Sequence, residues 1–496
     1  MNFTISLNNI ANSHLNNNVP QDLEAKKLHI LMKMKESKMY WKLKQHLFKE
    51  MKAKQQQDIF SVKKIQQASY QSGIEEQLKQ LIINCANRSL KSEPIKFDPQ
   101  DFINQARVKW TEIILKNYDY AQEKLKNYKP NGGQNNDADQ SEILYVYDEK
   151  NFFNFMITIK NTSAVNLNMS PNTCMKVNFI TPSLNDLRQK YDLLQNSDNI
   201  ENKNSNEYKL REKRCKTLAE NEALESEIET LAQGGLSNGE RVELYMKYFG
   251  IESSSFKHFA KLEEEVDKKE LMFDEILLMD SEEVADNDCF FIFQETVERI
   301  TQAFLRDKEV RDKLKIYSID TEKLNANDLQ KIPPCFMIPM KSISMLVAPL
   351  GFCSNKVDIM YMIFKEFYCN FYCHLHSISS QPNGILFLCC IFEELMAHAC
   401  NKVMNHLASI NIEPLRIAFP WFFYCFIGFT TVENIFLLLD RIIGYRSLDI
   451  LPLFAVGVFK LYQNEILKCK NAADLEKIFS QKIEFPFINC VRSVFQ

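Results

Sequence analysis

Apolar and polar residues follow a helical period along most of the chain, beginning near the N-terminus. In Leu23–Met51 the apolar positions recur at helical spacing while lysines crowd the remaining faces. We predict a basic amphipathic helix here. Its lysine face is typical of a solvated surface, or alternatively of a docking surface for anionic lipid or an acidic filament. The apolar positions are Leu28, Leu31, Tyr40, Leu43, Leu47 and Met51.

The pattern becomes mostly apolar in the C-terminal half, where nearly every segment after about Glu270 is compatible with a helix. The chain has only 12 glycines, and it is rich in Leu, Lys and Glu, which favour helices. We therefore predict a mainly α fold. One large helical domain is expected over 217–496, preceded by a smaller helical region over 20–128.

Two polar tracts interrupt the periodicity and predict linkers, at 129–142 and 195–216. Between them, 143–194 is expected to be a small connecting segment with both helix and strand. The strand is predicted within Ile143–Lys160, because β-branched and aromatic residues are concentrated there.

Composition narrows the class of protein. The 496 residues are 45% hydrophobic and 25% charged, which is typical of a globular protein. The formal net charge of −4 argues against a general nucleic-acid binder, which needs a basic face. The N-terminus lacks the pattern of a signal peptide. We expect a cytoplasmic protein, either free or peripheral to membranes, the cytoskeleton or a cilium.

The most apolar stretch, Ala418–Leu439, contains a proline and several polar residues, so it predicts two buried helices that meet at a break rather than a membrane span. The 14 cysteines are expected to be reduced thiols. Cys369 and Cys373 have the i, i+4 spacing of ligands on one helix face, with His374 and His376 following. Paired CxxC knuckles are missing, so core packing is favoured over a zinc site.

The sequence lacks the motifs of a self-contained nucleotide-using or hydrolytic enzyme. No GxxxxGK[ST] loop, no GxGxxG after a strand and no GxSxG elbow is present. We therefore expect no cofactor and no metal. An action exerted through another protein is favoured.

Several motifs resemble those of the TBC domain, the helical fold of Rab GTPase-activating proteins. "GLSNGER", from Gly235 to Arg241 and followed by Tyr245, resembles the "GIPxxxRxxxW" start of that domain, with Tyr in place of Trp. Later segments resemble its C-terminal half, and the matching positions are Trp421, Asp440, Arg441 and Gly444.

These motif residues have structural explanations. Gly235 permits a tight start to a helix. Arg241 carries a forked set of donors that suits it to tie helices together, and Asp440 is expected to make the reciprocal tie. We expect them, together with the other motif positions, to stabilise the fold rather than to catalyse.

Active TBC domains use an arginine finger in "IxxDxxR" and a glutamine finger in "YxQ", and the resemblance places both motifs in this chain. "LLMDSEE" puts Asp280 at the aspartate position and Glu283 at the arginine-finger position. "PMKSISMLVAPL" puts Pro339 at the tyrosine position and Lys341 at the glutamine-finger position. Lysine donates hydrogen bonds but accepts none, so it cannot orient a water as glutamine does.

The resemblance therefore implies a protein that binds a Rab-like small GTPase, or another partner, without dual-finger catalysis. The residues expected to face the GTPase are Asp280, Lys341, Ser344 and Arg299. The first alternative is an active GTPase activator that uses a different arginine, for which Arg299, Arg306 and Arg311 are the candidates. The second is a cytoskeletal or ciliary scaffold that works through the basic N-terminal helix.

Overall fold

Helices form the regular structure of the part of the chain that the computed structural model describes. That part contains no strand, and one isolated bridge pairs Thr430 with Ile483. The expectation of a mainly α fold is confirmed. All described residues belong to one compact unit, Asp98–Ala164 with Pro171–Gln496. The structure describes residues 99–127, 145–159, 174–175, 177, 179, 181–196, 203–252, 255–314, 332–379 and 381–496.

Twenty-two α-helices are described. They are α1 Pro99–Asn127, α2 Glu149–Met156, α3 Leu184–Lys190, α4 Asp192–Asn196, α5 Asn206–Glu220, α6 Glu225–Gly234, α7 Arg241–Tyr248, α8 Phe256–Lys268, α9 Met272–Ala285, α10 Gln294–Arg306 and α11 Lys308–Leu314. They continue as α12 Ile343–Val347, α13 Val357–Phe367, α14 Cys373–Leu375, α15 Ile385–Ala399, α16 Asn401–Ser409, α17 Pro414–Phe423, α18 Val432–Tyr445, α19 Ile450–Leu461, α20 Gln463–Ile466, α21 Ala472–Phe479 and α22 Phe487–Phe495. The 3-10 helices Phe291–Phe293 and Ala348–Phe352 flank α10 and α12, and a π-helical turn, Tyr368–Tyr372, follows α13.

The stretch predicted to include a strand is helical where it is described. Helix α2 starts after Asp148, whose side chain accepts a hydrogen bond from the Asn151 amide at 2.7 Å while the Asn151 side chain accepts from the Asp148 amide. This reciprocal cap satisfies two amides that the first helical turn leaves unpaired. Phe152, Phe153 and Met156 then lie on one buried face. Capping and burial thus outweigh the β propensity of the aromatic residues.

The second predicted linker, 195–216, also contains a helix. Within it α5 begins at Asn206, after Ser205, whose hydroxyl accepts a hydrogen bond from the Tyr208 amide at 3.0 Å. Its Glu, Lys and Arg residues are good helix formers that need little burial. Other sequence predictions, namely the basic helix at Leu23–Met51 and the linker at 129–142, lie outside the described residues.

Helix α19 is the centre of the core. Every residue from Ile450 to Phe459 is buried, as expected for a helix that is apolar on all sides. It packs against α15, α17, α18 and α22. Trp421 of α17 is buried beside it, with ring centroids 5.6 Å from Phe459 and 5.4 Å from Phe479.

The apolar stretch Ala418–Leu439 forms two buried helices separated by a break, as predicted. Helix α17 ends at Phe423 and α18 starts at Val432, after the Thr431 side chain caps the Asn434 amide. None of the described helices is both long enough and apolar enough to cross a membrane.

Asp440 joins the first TBC-like motif to helix α18. Its two carboxylate oxygens accept hydrogen bonds from the Arg241 guanidinium at 3.1 and 3.0 Å. They also accept from the Tyr245 hydroxyl at 2.7 Å and the Leu236 amide at 2.9 Å. Burial opposes the charge on Arg241, but Asp440 reverses that effect and raises the pKa of the guanidinium. The expected tie between Arg241 and Asp440 is therefore present, and the tyrosine that replaces tryptophan takes part in it.

Two glycines allow α6 and α18 to approach each other. Gly235 has φ +97°, a left-handed conformation that favours glycine, and it places the Gly234 carbonyl 3.1 Å from Arg441 Nη2. A Cβ atom on Gly444 would lie 2.4 Å from the Gln233 nitrogen, so only glycine fits at this crossing. Both glycines and Arg441 thus act in helix packing.

We expect Arg241→Met to lower the free energy of unfolding by about 3–5 kcal/mol, because it leaves the Asp440 carboxylate buried without its cation. Urea-induced unfolding monitored by tryptophan fluorescence measures the loss. Lys268→Met is the matched control. It removes an exposed ion pair with Glu264, for which about 0–1 kcal/mol is expected. Equal losses for the two variants would contradict a central role for Arg241.

Candidate functional site

Asp280 of α9 anchors the turn that leads into α12. Its carboxylate accepts hydrogen bonds from the backbone amides of Ser342 and Ser344, the second at 2.8 Å. Ser342 adopts a left-handed conformation with φ 61°, which turns both amides toward the same carboxylate. The backbone beside Lys341 is therefore fixed to α9.

The carboxyl of Asp280 has an unusual pKa. Burial raises this pKa to about 7, although the hydrogen bond from the Ser344 amide favours the ionised form. Asp280 is only 2% exposed and Ser344 is completely buried. Contrary to the expectation that they face a GTPase, both residues hold the turn inside this structure.

Glu283 and Lys341, which the motif resemblance aligns with the two finger positions, form an ion pair with each other. Lys341 Nζ lies 3.1 Å from Glu283 Oε1, and the Ser342 hydroxyl donates a hydrogen bond to the second carboxylate oxygen. Partial burial opposes the charge on Lys341, but the Glu283 carboxylate raises its pKa above the ordinary value. Lys341 is therefore an ammonium at neutral pH, and the pair has no net charge.

The segment before α2 also belongs to this site. The sequence analysis did not predict its contribution. The Tyr147 carbonyl accepts a hydrogen bond from the Lys341 amide at 2.9 Å, and Lys341 Nζ lies 5.7 Å from the centre of the Tyr145 ring. An ammonium over an aromatic face is attracted by the ring quadrupole. The only sequence signal was the aromatic run in "ILYVYDE", which had predicted a strand.

Tyr424, in the turn after α17, holds the other side of Lys341. Its hydroxyl lies 3.0 Å from the Lys341 carbonyl and 2.9 Å from Glu149 Oε2. A single hydroxyl proton can serve one of these acceptors at a time. Lys341 is thus fixed through its backbone by residues from two distant parts of the chain, and its side chain is fixed by Glu283.

The three other candidate arginines differ in accessibility. Arg306 is 4% exposed, and its guanidinium makes two hydrogen bonds to Asp274 at 2.8 and 2.7 Å, so a finger role would require breaking a buried pair. Arg299 has a 60% exposed side chain and pairs with Glu263 of α8. The side chain of Arg311 is 35% exposed and pairs with Asp312. The structure does not join any of these three to the Glu283–Lys341 pair through a described contact.

Comparison with known protein families matches residues 340–467 to the Rab-GTPase-TBC domain. This segment of the chain is thus similar to a Rab-GTPase-TBC domain. This confirms the resemblance seen in the motifs. The match begins one residue before Lys341 and includes Trp421, Asp440, Arg441 and Gly444, whereas Glu283 precedes it.

The comparisons with known proteins include one curated relative and one solved structure. Human TBC1 domain family member 19 is 32% identical over 250 residues, which is 48% of this chain and 48% of that protein. The match thus spans about half the length of this relative. The crystal structure of the Chlamydomonas flagellar RabGAP TBC domain aligns with a TM-score of 0.42 and 12% identity, covering 66% of this chain and 97% of that one. TBC domains, as a class, act in the regulation of Rab-related GTPases.

The cysteine and histidine cluster lies within the matched residues 340–467 and has the environment of a packed interior. Cys369 and Cys373 are buried, and burial raises the pKa of the Cys369 thiol to about 12, which disfavours the thiolate that binds zinc. His376 is buried, and its Nε2 lies 2.8 Å from the Phe423 carbonyl. Burial lowers the pKa of His376 to about 4.

One group of three close metal-ligand side chains occurs among the described residues: His258, Asp307 and Glu309. Lys365 Nζ already lies 2.8 Å from Asp307 and 2.5 Å from Glu309. This ammonium is 1% exposed and supplies the positive charge that the two carboxylates need. The group is therefore explained as an ion-pair network around the buried Lys365 and Asp307, with Glu309 exposed at its edge.

We expect the stability of the protein to depend on pH through Asp280. Because the pKa is about 7 in the folded state and about 3.9 in an unfolded chain, the folded state binds more protons between these values. The carboxyl stabilises the fold below pH 4, and this stabilisation is lost as the pH rises through 7. Relative to Asp280→Asn, the wild type should lose up to about 1.4 kcal/mol per pH unit in this window. Unfolding free energies of both proteins at pH 4.5 to 8 provide the test, and a pH-independent difference would contradict the raised pKa.

Proposed function

We propose that the TBC domain binds a Rab-like small GTPase without accelerating GTP hydrolysis by the dual-finger route. The observation that supports this proposal is the ion pair between Glu283 and Lys341. An arginine finger contributes roughly 10³ to 10⁵ in rate, or roughly 4–7 kcal/mol of transition-state stabilisation, by placing positive charge at the transferring phosphoryl group. A neutral ion pair at this place supplies no such charge.

Release of Lys341 from the pair does not restore the catalytic arrangement. A freed ammonium contacts a phosphate as a point charge, but it has no acceptor with which to orient the attacking water. The same release leaves the Glu283 carboxylate unpaired, and a carboxylate repels the phosphate charge that must be stabilised. Both positions therefore oppose dual-finger catalysis, whichever partner is bound.

We expect GTP-loaded members of a Rab panel to be captured by the full chain, while their single-turnover GTP hydrolysis is accelerated less than about 10³-fold, the lower range for an arginine finger. Capture that depends on the bound nucleotide distinguishes GTPase binding from a scaffold role. Acceleration above that limit would overturn the proposal. Loss of such acceleration in Arg299→Ala or Arg311→Ala, with binding retained, would instead establish activation through a different arginine.

We expect the double variant Glu283→Arg, Lys341→Gln to stimulate hydrolysis by a captured GTPase. This variant supplies the guanidinium and the amide that the two finger positions lack. Glu283→Gln, Lys341→Gln is the matched control, because it removes the ion pair without supplying a guanidinium. Stimulation is measured as a single-turnover rate at saturating protein. Equal rates for the two double variants would contradict the assignment of Glu283 to the arginine-finger position.

A further inference from the structure

Three large apolar side chains lie exposed on the two 3-10 helices that flank α10 and α12. They are Phe291, Ile292 and Phe352, which are 57%, 65% and 51% exposed, and we call them the apolar patch. Single exposed apolar residues are ordinary, whereas a contiguous group of them is typical of an interaction surface.

Ring contacts show that the apolar patch is contiguous. Phe293, the next residue after Ile292, has its ring centre 5.1 Å from that of Phe352 in an edge-to-face arrangement, and Phe290 lies 6.1 Å from Phe352. The Phe293 ring also packs directly on the backbone of Gly351. The two 3-10 helices are therefore held together by aromatic contacts beneath the patch. A surface that is already ordered loses little conformational entropy when a partner binds.

Acidic residues flank Phe291 and Ile292 along the chain. Four exposed ones lie on the same continuous segment, which also carries the exposed Arg299, and Lys482 Nζ lies 3.0 Å from Cys289 Sγ. An apolar centre with an acidic rim is complementary to a partner with an apolar centre and a rim of Lys or Arg. The acidic residues are Glu282, Asp286, Asp288 and Glu295.

The apolar patch lies on the chain segments that follow Glu283 and Lys341. Phe291 lies eight residues after Glu283, beyond the end of α9. Phe352 lies eleven residues after Lys341, at the end of the 3-10 helix that follows α12. The helical rises allow at most roughly 18 Å between Phe352 and the start of α12. A standard interface covers about 800 Å² on each partner, or about 30 Å across if it is circular. One partner can therefore cover the finger positions and the patch together.

We infer that the apolar patch is the main docking surface for the small GTPase, which presents to it an apolar face edged by basic residues. This inference rests on the proposed function, and it assigns most of the binding energy for the GTPase to the apolar patch. The Glu283–Lys341 pair contributes little to that energy, since it is already neutralised within the protein. The buried aromatic rings hold the patch, and its exposed side chains supply the contact.

The test compares Phe291→Ser, Ile292→Ser with wild type for binding to the GTPase that the full chain captures in its GTP-bound form. We expect the dissociation constant to rise about tenfold or more, as is typical when interface anchors are removed. Leu210→Ser is the control, because Leu210 is 56% exposed on α5, which packs against α6 and α7. It should change binding less than about twofold, within the range of near-neutral interface residues. Circular dichroism checks that all variants remain folded.

The outcomes separate the two proposals. If wild type captures no GTPase, the proposed function fails. If wild type binds and the double variant binds equally well, the patch assignment fails while GTPase binding stands. Self-association of wild type that disappears in the double variant would assign the patch to a second copy of the chain and overturn the GTPase as its occupant.

The acidic rim provides a second arm of the same experiment. Asp286→Lys, Asp288→Lys should slow association with the GTPase and weaken the dependence of its rate on ionic strength, because rim charges act mainly on the encounter rate. Stopped-flow association at two salt concentrations measures both effects. Faster association by this variant would show that the partner's rim is acidic and would contradict the inferred complementarity.

Discussion

The buried carboxylate of Asp440 is the interaction on which the arrangement of the described helices depends. Four donors, from Arg241, Tyr245 and the Leu236 amide, surround a group that has no exposure to water. Burial of such a charge is tolerated only when it is both paired and hydrogen-bonded. Because its donors come from the turn before α7 and from α7 itself, while Asp440 belongs to α18, the pair fixes the first motif against the C-terminal core. Tyr245 shows how a substitution within a motif can preserve its physical role, since its hydroxyl adds a donor.

A second buried carboxylate, Asp280, has a different task. Asp440 is paired with a cation, whereas Asp280 receives backbone amides, and so its charge is offset less and its pKa rises to about 7. The result is a turn whose geometry is fixed by a buried carboxyl with a raised pKa. Lys341 protrudes from this turn, and its ammonium is directed to Glu283, one helical turn after Asp280. The site therefore combines a rigid backbone with an ion pair that carries no net charge.

The sequence predicts the fold more completely than it predicts the site. Helical periodicity and the scarcity of glycine indicated the helical architecture, but that helix α19 is its buried centre was learned from the structure. Local capping was harder to recognise, because Asp148 and Ser205 begin helices in segments whose composition suggested a strand and a linker. The motif resemblance aligned Glu283 and Lys341 with the two finger positions. Their contact with each other could not be predicted, because it depends on the packing of α9 against α12. Tyr145 and Tyr424 join the site from parts of the chain that no local pattern connects to it.

The weakness of the Glu283–Lys341 pair bears on how a partner can use this surface. Both side chains are partly exposed, 23% and 33%, and an ion pair of this kind contributes only about 0–1 kcal/mol to stability. Stability alone therefore does not explain why opposite charges occupy the two positions that the motif resemblance aligns with the arginine and glutamine fingers. A bound phosphate competes poorly for Lys341, since it must displace one carboxylate and then lie beside it. Binding energy is available where no such competition exists, namely at exposed apolar groups that lose only water. This separation of a charge-neutral ion pair from an exposed apolar surface is consistent with the proposed function, in which the protein binds a GTPase without dual-finger catalysis.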